Sequence, residues 1–215
     1  MKQKLKIFAT SKYFDLLGVA LVISIAIASG YLATRLDKFV DWGSWTAYVP
    51  FGFISVINVG LSMLSTRFTG KLSKLGNYLG IINAVLSGVI DYILGNKAAI
   101  ITYPVTFLIY LGAIYVWNKS TDKPNTMSKA KLYSVLTAIA VLSFVFSYAT
   151  NYIGYHGKMS TLAYITTIAF AFSLMGNGLN TFKLTTQWPF WLLYNFVQLT
   201  KAIVQGNFAN VGKYI

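Results

Sequence analysis

Between Gln187 and Gly206 the chain reads QWPFWLLYNFVQLTKAIVQG, placing two tryptophans, a tyrosine, a lysine and several side-chain amides in an otherwise apolar run. At about 100° per residue, Trp188, Trp191, Asn195 and Gln198 fall in one arc of a helix, with Gln187, Tyr194, Lys201 and Gln205 beside them. The opposite side carries Phe190, Leu192, Leu193, Phe196, Val197, Leu199, Ile203 and Val204. Indole faces bind flat rings by stacking, with an added cation–π attraction for a pyridinium. Amides donate and accept hydrogen bonds without committing a charge. In hydrocarbon each unpaired polar group costs several kcal/mol, so this arc must face protein and a cavity. The chemistry expected is reversible binding of a neutral or weakly charged, ring-bearing solute.

A second polar face appears at helical spacing in Asn77, Gly80, Asn83, Ala84, Ser87 and Asp91, and offers an opposing wall. Two further stripes are Asn58, Ser62 and Ser65, and Ser173, Gly176, Asn177 and Asn180. Small residues of this kind let membrane helices approach closely, whereas Asn58, Asn83, Asn177 and Asn195 can equally line a path. Asp91 and Lys201 are the ionisable residues placed well inside predicted spans. They read either as a structural ion pair or as a coupling site, and Lys201 alone could snorkel to the interface. His156 stands by itself in GYHGK, and cysteine is absent. There is no P-loop, GxGxxG, HExxH or paired-carboxylate arrangement, so no metal, no cofactor and no enzymatic activity are expected.

The elements that must hold these residues follow from composition. The 215 residues are 56% hydrophobic and only 11% charged, with a mean hydropathy of +0.59. Soluble domains carry about 25% charged residues, so the chain is expected to be an all-α integral membrane protein. At about 20 residues per span, the apolar segments are 13–33, 45–64, 77–95, 98–117, 132–152, 160–182 and 187–206. The first is too long for a signal-peptide core and reads as a retained span. The net charge of +13 sits in short clusters between spans, a topology signal rather than a nucleic-acid surface. Lys2, Lys4, Lys6, Lys12, Arg67, Lys71, Lys74, Lys119, Lys123, Lys129, Lys131 and Lys183 fall on one side. Arg35, Lys38, Lys97, Lys158 and Lys213 fall on the other, which predicts a cytoplasmic N-terminus. Trp42, Trp45 and Trp117 fall at span ends, where tryptophan anchors at the interface are expected.

An internal repeat is suggested by GNKAAIITY (Gly95 to Tyr103) and GNFANVGKY (Gly206 to Tyr214), offset by 111 residues. Asn83 matches Asn195, and Lys71-Leu72 matches Lys183-Leu184, at an offset of 112, implying a one-residue indel. The pattern predicts two parallel triple-helix repeats, 45–117 and 160–215, joined by a linker helix at 132–152 and preceded by an extra helix at 13–33. Tyr103 is followed by the apolar run PVTFLIYLGAIYVW, whereas the second copy stops at Ile215. The expected third member of the second repeat therefore follows Tyr214 and is lacking; an ordinary seven-span protein is the alternative.

The Trp188, Trp191, Asn195 pattern W-x-x-W-x-x-x-N in QWPFWLLYN resembles the signature helix of the PnuC-type nicotinamide riboside transporter family. PVTFLIYLGAIYVWNK, with Pro104, Gly112, Trp117 and Lys119, is similar to the end of that family's first triple-helix unit. The resemblance covers residues 45 to 215. It implies a SWEET-like 3+1+3 bundle in a bacterial inner membrane, working as a homotrimer. It also implies facilitated diffusion of nicotinamide riboside, a vitamin B3 and NAD precursor, with trapping by a cytoplasmic kinase. Trp188, Trp191, Asn195, Gln198, Gln187, Tyr194, Asn83 and Asp91 are the expected binding residues. A carrier for thiamine, riboflavin or deoxynucleosides, and a non-transporting sensor or scaffold, are the alternatives.

Overall fold

Apolar runs long enough to bury their own backbone in lipid must close every amide–carbonyl pair internally, and they do so as helices. The computed structural model describes residues 11–120 and 123–214; Lys2, Lys4 and Lys6, which bear on orientation, lie outside the described residues, as does the side chain of Lys12. The helices are α1 (Lys12–Ala28), α2 (Phe51–Gly70), α3 (Leu75–Ile93), α4 (Ala99–Lys119), α5 (Lys129–Gly154), α6 (Thr161–Thr181), α7 (Gln187–Val204) and α8 (Phe208–Tyr214). Short 3-10 turns at Tyr31–Ala33, Leu36–Lys38 and Ser44–Tyr48 connect α1 to α2. The protein is all-α and multi-pass: α2, α4, α5 and α6 are each long and apolar enough to cross a membrane. α1 is shorter, and α3 and α7 are diluted by the polar faces seen in their sequences.

Several boundaries differ from expectation: α1 stops at Ala28 rather than at 33, and α2 runs to Gly70 rather than to 64. The segment predicted at 45–64 starts its helix only at Phe51, because Pro50 lacks an N–H and its ring would clash with a preceding helical turn. Residues 44–48 form a 3-10 turn instead. A further helix, α8, begins at Phe208, before Tyr214 rather than after it. The break that frees it is Gly206, whose φ of 64° ends α7 while Asn207 N–H donates back to the Ala202 carbonyl at 2.9 Å.

The turns also set the register between the two halves. Leu72 (φ 57°) and Lys183 (φ 55°) each end a helix in the left-handed region. In both, the next amide donates back across the turn, Ser73 to Phe68 O and Leu184 to Leu179 O. Gly95 and Gly206 repeat the pattern with Asn96 to Asp91 O and Asn207 to Ala202 O. Leu72 to Lys183 and Gly95 to Gly206 are both separations of 111, so no indel is needed. On this register Asn83 corresponds to Tyr194 rather than to Asn195.

Packing closes the helices into a ring. α2, α3 and α4 pack in sequence, as do α6, α7 and α8, and the ring is completed by α4 against α6 and α8 against α2. α5 lies outside, on α4 and α6; α1 lies outside, on α8 and α2. Hydroxyl and amide contacts hold α5 to α6: Ser147 Oγ donates to the Thr167 carbonyl at 2.6 Å, and Thr166 Oγ1 to Asn151 Oδ1 at 2.9 Å. An apolar cluster of Val22, Tyr31, Leu36, Phe51, Val59, Ile90, Leu94 and Ala209 joins α1, the 3-10 segment, α2, α3 and α8.

Candidate ligand-binding cavity

The ring encloses a cavity of about 670 Å³. Its walls carry Trp188, Trp191, Tyr194, Asn195, Gln198 and Lys201 from α7, and Asn83, Ser87 and Asp91 from α3. Asn58 and Ser62 of α2 and Ser173, Asn177 and Asn180 of α6 complete the polar lining. A helix whose polar arc projects inward and whose apolar side meets lipid is the arrangement the α7 pattern demanded: Leu193, Phe196, Ile203 and Val204 are exposed on the outside of the protein, whereas Leu192, on the edge between the two sides, borders the cavity.

Trp191 is held on three sides. A side-chain carbon at Gly176 would lie 2.7 Å from Trp191 Cε2, so the indole seats directly on the α6 backbone. Its Nε1 donates to Gln187 Oε1 at 3.2 Å. The Tyr194 ring meets it edge to face, with centroids 5.4 Å apart. A ring fixed in this way loses little entropy when a solute binds. Gln187, expected in the wall, is instead buried beneath Trp191 and orients it. Trp188, partly exposed, reaches the cavity end where Arg67, Gly70 and Lys71 are found, and its ring is 3.6 Å from the position a Gly70 side chain would take.

On the facing helix, Asn83 Nδ2 donates to Asn58 Oδ1 at 2.9 Å and to its carbonyl at 3.1 Å, while Asn58 Nδ2 donates to Ser87 Oγ at 2.8 Å. The amides are thus oriented before any solute arrives. Asp91 is the hub at the other end of the cavity. Its Oδ2 accepts from Lys201 Nζ at 2.5 Å, Asn96 Nδ2 at 2.6 Å and Tyr103 OH at 3.1 Å. Its Oδ1 accepts from Gln205 Nε2 at 2.8 Å. Both ions of the pair are buried, so Lys201 does not snorkel, and the pair ties α3 to α7. Among the described residues no cluster of His, Cys, Asp or Glu could hold a metal ion.

Several lining residues escaped the sequence reading. Tyr103, Tyr110 and Tyr214 line the cavity, Tyr214 meeting Tyr194 edge to face at 6.4 Å. Lys213, expected in a loop, lies in α8 and reaches Ser62 of α2. The constant spacing of 111 was the available signal, since it sets Lys213 and Tyr214 against Thr102 and Tyr103, inside a span.

Trp117 is also not where its position predicted. Rather than anchoring at the interface it is fully buried, its Nε1 donates to the Asn180 carbonyl at 2.8 Å, and Lys183 Nζ lies 4.7 Å from its ring centroid. Trp42 and Trp45 do remain exposed, 6.4 Å apart. Beside Trp117, Asn180 Nδ2 donates to Asn77 Oδ1 at 2.9 Å, so α3, α4 and α6 meet at one polar joint. Trp117→Phe removes the donor and, its ring being smaller, leaves a void in a fully buried site, which together should cost about 2–4 kcal/mol. Thermal unfolding in detergent checks this, and an unchanged Tm would show the bond to be idle.

Comparison with known proteins gives two findings. The family model of the nicotinamide mononucleotide transporters matches residues 52–215. Among solved structures, the chain is similar to one described as the crystal structure of the vitamin B3 transporter PnuC, with a TM-score of 0.65. That likeness covers 95% of this chain and 87% of the other at 13% identity, and it bears on the fold. No curated protein sequence is significantly similar to the chain.

Proposed function

Since this chain belongs to the nicotinamide mononucleotide transporter family, we propose that it carries nicotinamide riboside or a close relative across the bacterial inner membrane. The observation that carries this reading is Trp191, locked by Gly176, Gln187 and Tyr194 against a cavity whose other polar groups are mostly amides and hydroxyls. A stacked indole takes the flat base, and amides match a carboxamide and ribose hydroxyls without binding too tightly to release.

We further propose alternating access between two parallel repeats, α2 to α4 and α6 to α8, in a SWEET-like arrangement. The cyclic packing and the common spacing of the turns support it. With the N-terminus cytoplasmic, the end lined by Arg67, Lys71 and Trp188 faces the cytoplasm, and the Asp91–Lys201 hub lies toward the outside. The movement is facilitated diffusion: both oxygens of Asp91 are already engaged, which leaves that carboxylate ill suited to ferry a proton. Homotrimer assembly and trapping of the product by a cytoplasmic kinase belong to the same proposal.

Proteoliposomes formed with proton and sodium gradients across their bilayer test it. Labelled nicotinamide riboside should equilibrate across the bilayer and continue to do so after the proton and sodium gradients are collapsed. Binding without flux would instead mark a sensor or scaffold, and flux abolished by collapse would mark ion coupling.

A further inference from the structure

The two halves of the cavity wall differ at the position that carries the indole. At the spacing of 111, Gly80 of α3 corresponds to Trp191 of α7, and Ser65 of α2 corresponds to Gly176 of α6. The second half therefore bridges α7 and α6 with an indole, whereas the first half has no side chain to send across. Tyr110 of α4 fills that space: a side-chain carbon at Gly80 would overlap Tyr110 Cε1 and lie 2.6 Å from its Cζ. The far end of the ring reaches α2, where its hydroxyl donates to Ser65, whose own hydrogen goes to the Gly76 carbonyl at 2.8 Å. Tyr110 thus spans from Gly80 to Ser65 as Trp191 spans from α7 to Gly176. Parallel repeats are related by an axis along the bilayer normal, so matching places lie on opposite sides of what they enclose. Both residues are half-buried and line the same cavity. Tyr194, edge to face with Trp191, is also an electrostatic neighbour of Tyr110, so both rings are within reach of one solute.

We infer that Tyr110 is the second aromatic face of the ring site, opposite Trp191, and that the flat base of the solute is held between the two. An alkyl side chain would fill the space over Gly80 equally well; a tyrosine adds a π face and a hydroxyl that pins it. Two such faces select on charge as well as on shape. A pyridinium between them gains cation–π attraction from both, and a neutral ring of the same outline gains it from neither. The inference rests on the transport reading above and narrows it: among ring-bearing nucleosides, those whose base is a planar cation are preferred.

The test is calorimetric binding to the purified full chain, in detergent, of nicotinamide riboside and of its 1,4-dihydro form, which keeps the sugar and the carboxamide but has an uncharged ring. The wild type should prefer the pyridinium. In Tyr110→Leu that preference should fall about three- to thirtyfold, the share of one cation–π face, whereas Tyr110→Phe should keep most of it. Should Tyr110→Leu not fold, Tyr110→Met serves for the same ratio. A purely structural role would weaken both forms in parallel, so a ratio unchanged in the aliphatic variant overturns the second face. A ratio that falls as far in Tyr110→Phe overturns it as well, because the hydroxyl rather than the π face would then be at work. So does a wild type with no preference for the pyridinium. A wild type that binds neither form overturns the transport reading itself.

Discussion

Trp191→Ala weakens binding of nicotinamide riboside by about ten- to a hundredfold, the loss of about 1–3 kcal/mol that accompanies removal of an aromatic platform beneath a base. The size of the effect follows from how the indole is held. Gly176 against it, Gln187 on its nitrogen and Tyr194 perpendicular to it fix the indole where it lines the cavity. Trp188 is a useful contrast, because it is 38% exposed and sits toward the cavity end near Gly70. Its alanine variant should lose less affinity than that of Trp191. Trp191→Phe, which keeps a ring but surrenders the hydrogen bond to Gln187, should fall between wild type and alanine. Titration calorimetry resolves the series, and equal affinity across it would remove stacking on Trp191 from the account.

Asp91→Ala should cost about 3–5 kcal/mol of stability, because it strands the Lys201 ammonium in a buried site. Asn96, Tyr103 and Gln205 would lose their shared acceptor at the same time. A buried pair differs from a surface pair in one diagnostic respect: removing both charges is far less harmful than removing one. The double variant Asp91→Leu, Lys201→Leu should therefore recover much of the stability lost in the single variant. Unfolding curves in a single detergent decide the matter. A double variant as unstable as Asp91→Ala would mean that the hub's amides and hydroxyl, rather than charge neutrality, hold this end of the bundle.

What was legible in the sequence was whatever repeats within a helix. The inward arc of α7 and the outward Leu193 and Phe196 follow from a 3.6-residue period, and the structure orients them accordingly; Leu192, expected with them, borders the cavity instead. Asp91 and Lys201 were legible as partners through their depth, since two opposite charges deep in lipid have few other options. Contacts between helices were not legible in this way. Gln187 lies on the correct arc yet turns beneath Trp191, because side chains one turn apart on a helix can satisfy each other before either meets a solute. Trp117 has the spacing of an interface anchor, but its burial depends on Asn180, which is 63 residues away. Lys213 was masked by its position so near Ile215, where no apolar run remained to reveal a helix, and only the spacing of the turns recovers it.

The placement of α1 and α5 carries a last consequence. The two triples meet at two seams, α8 with α2 and α4 with α6, and each seam carries an outer helix that touches both of its sides. Each outer helix works as a splint across a joint. Lipid tails pressing on the ring meet a covered suture at each seam, and on the proposed transport reading this shields a polar solute from sideways escape. Loosening either splint, even far from Trp191, should show first as leak rather than as lost affinity.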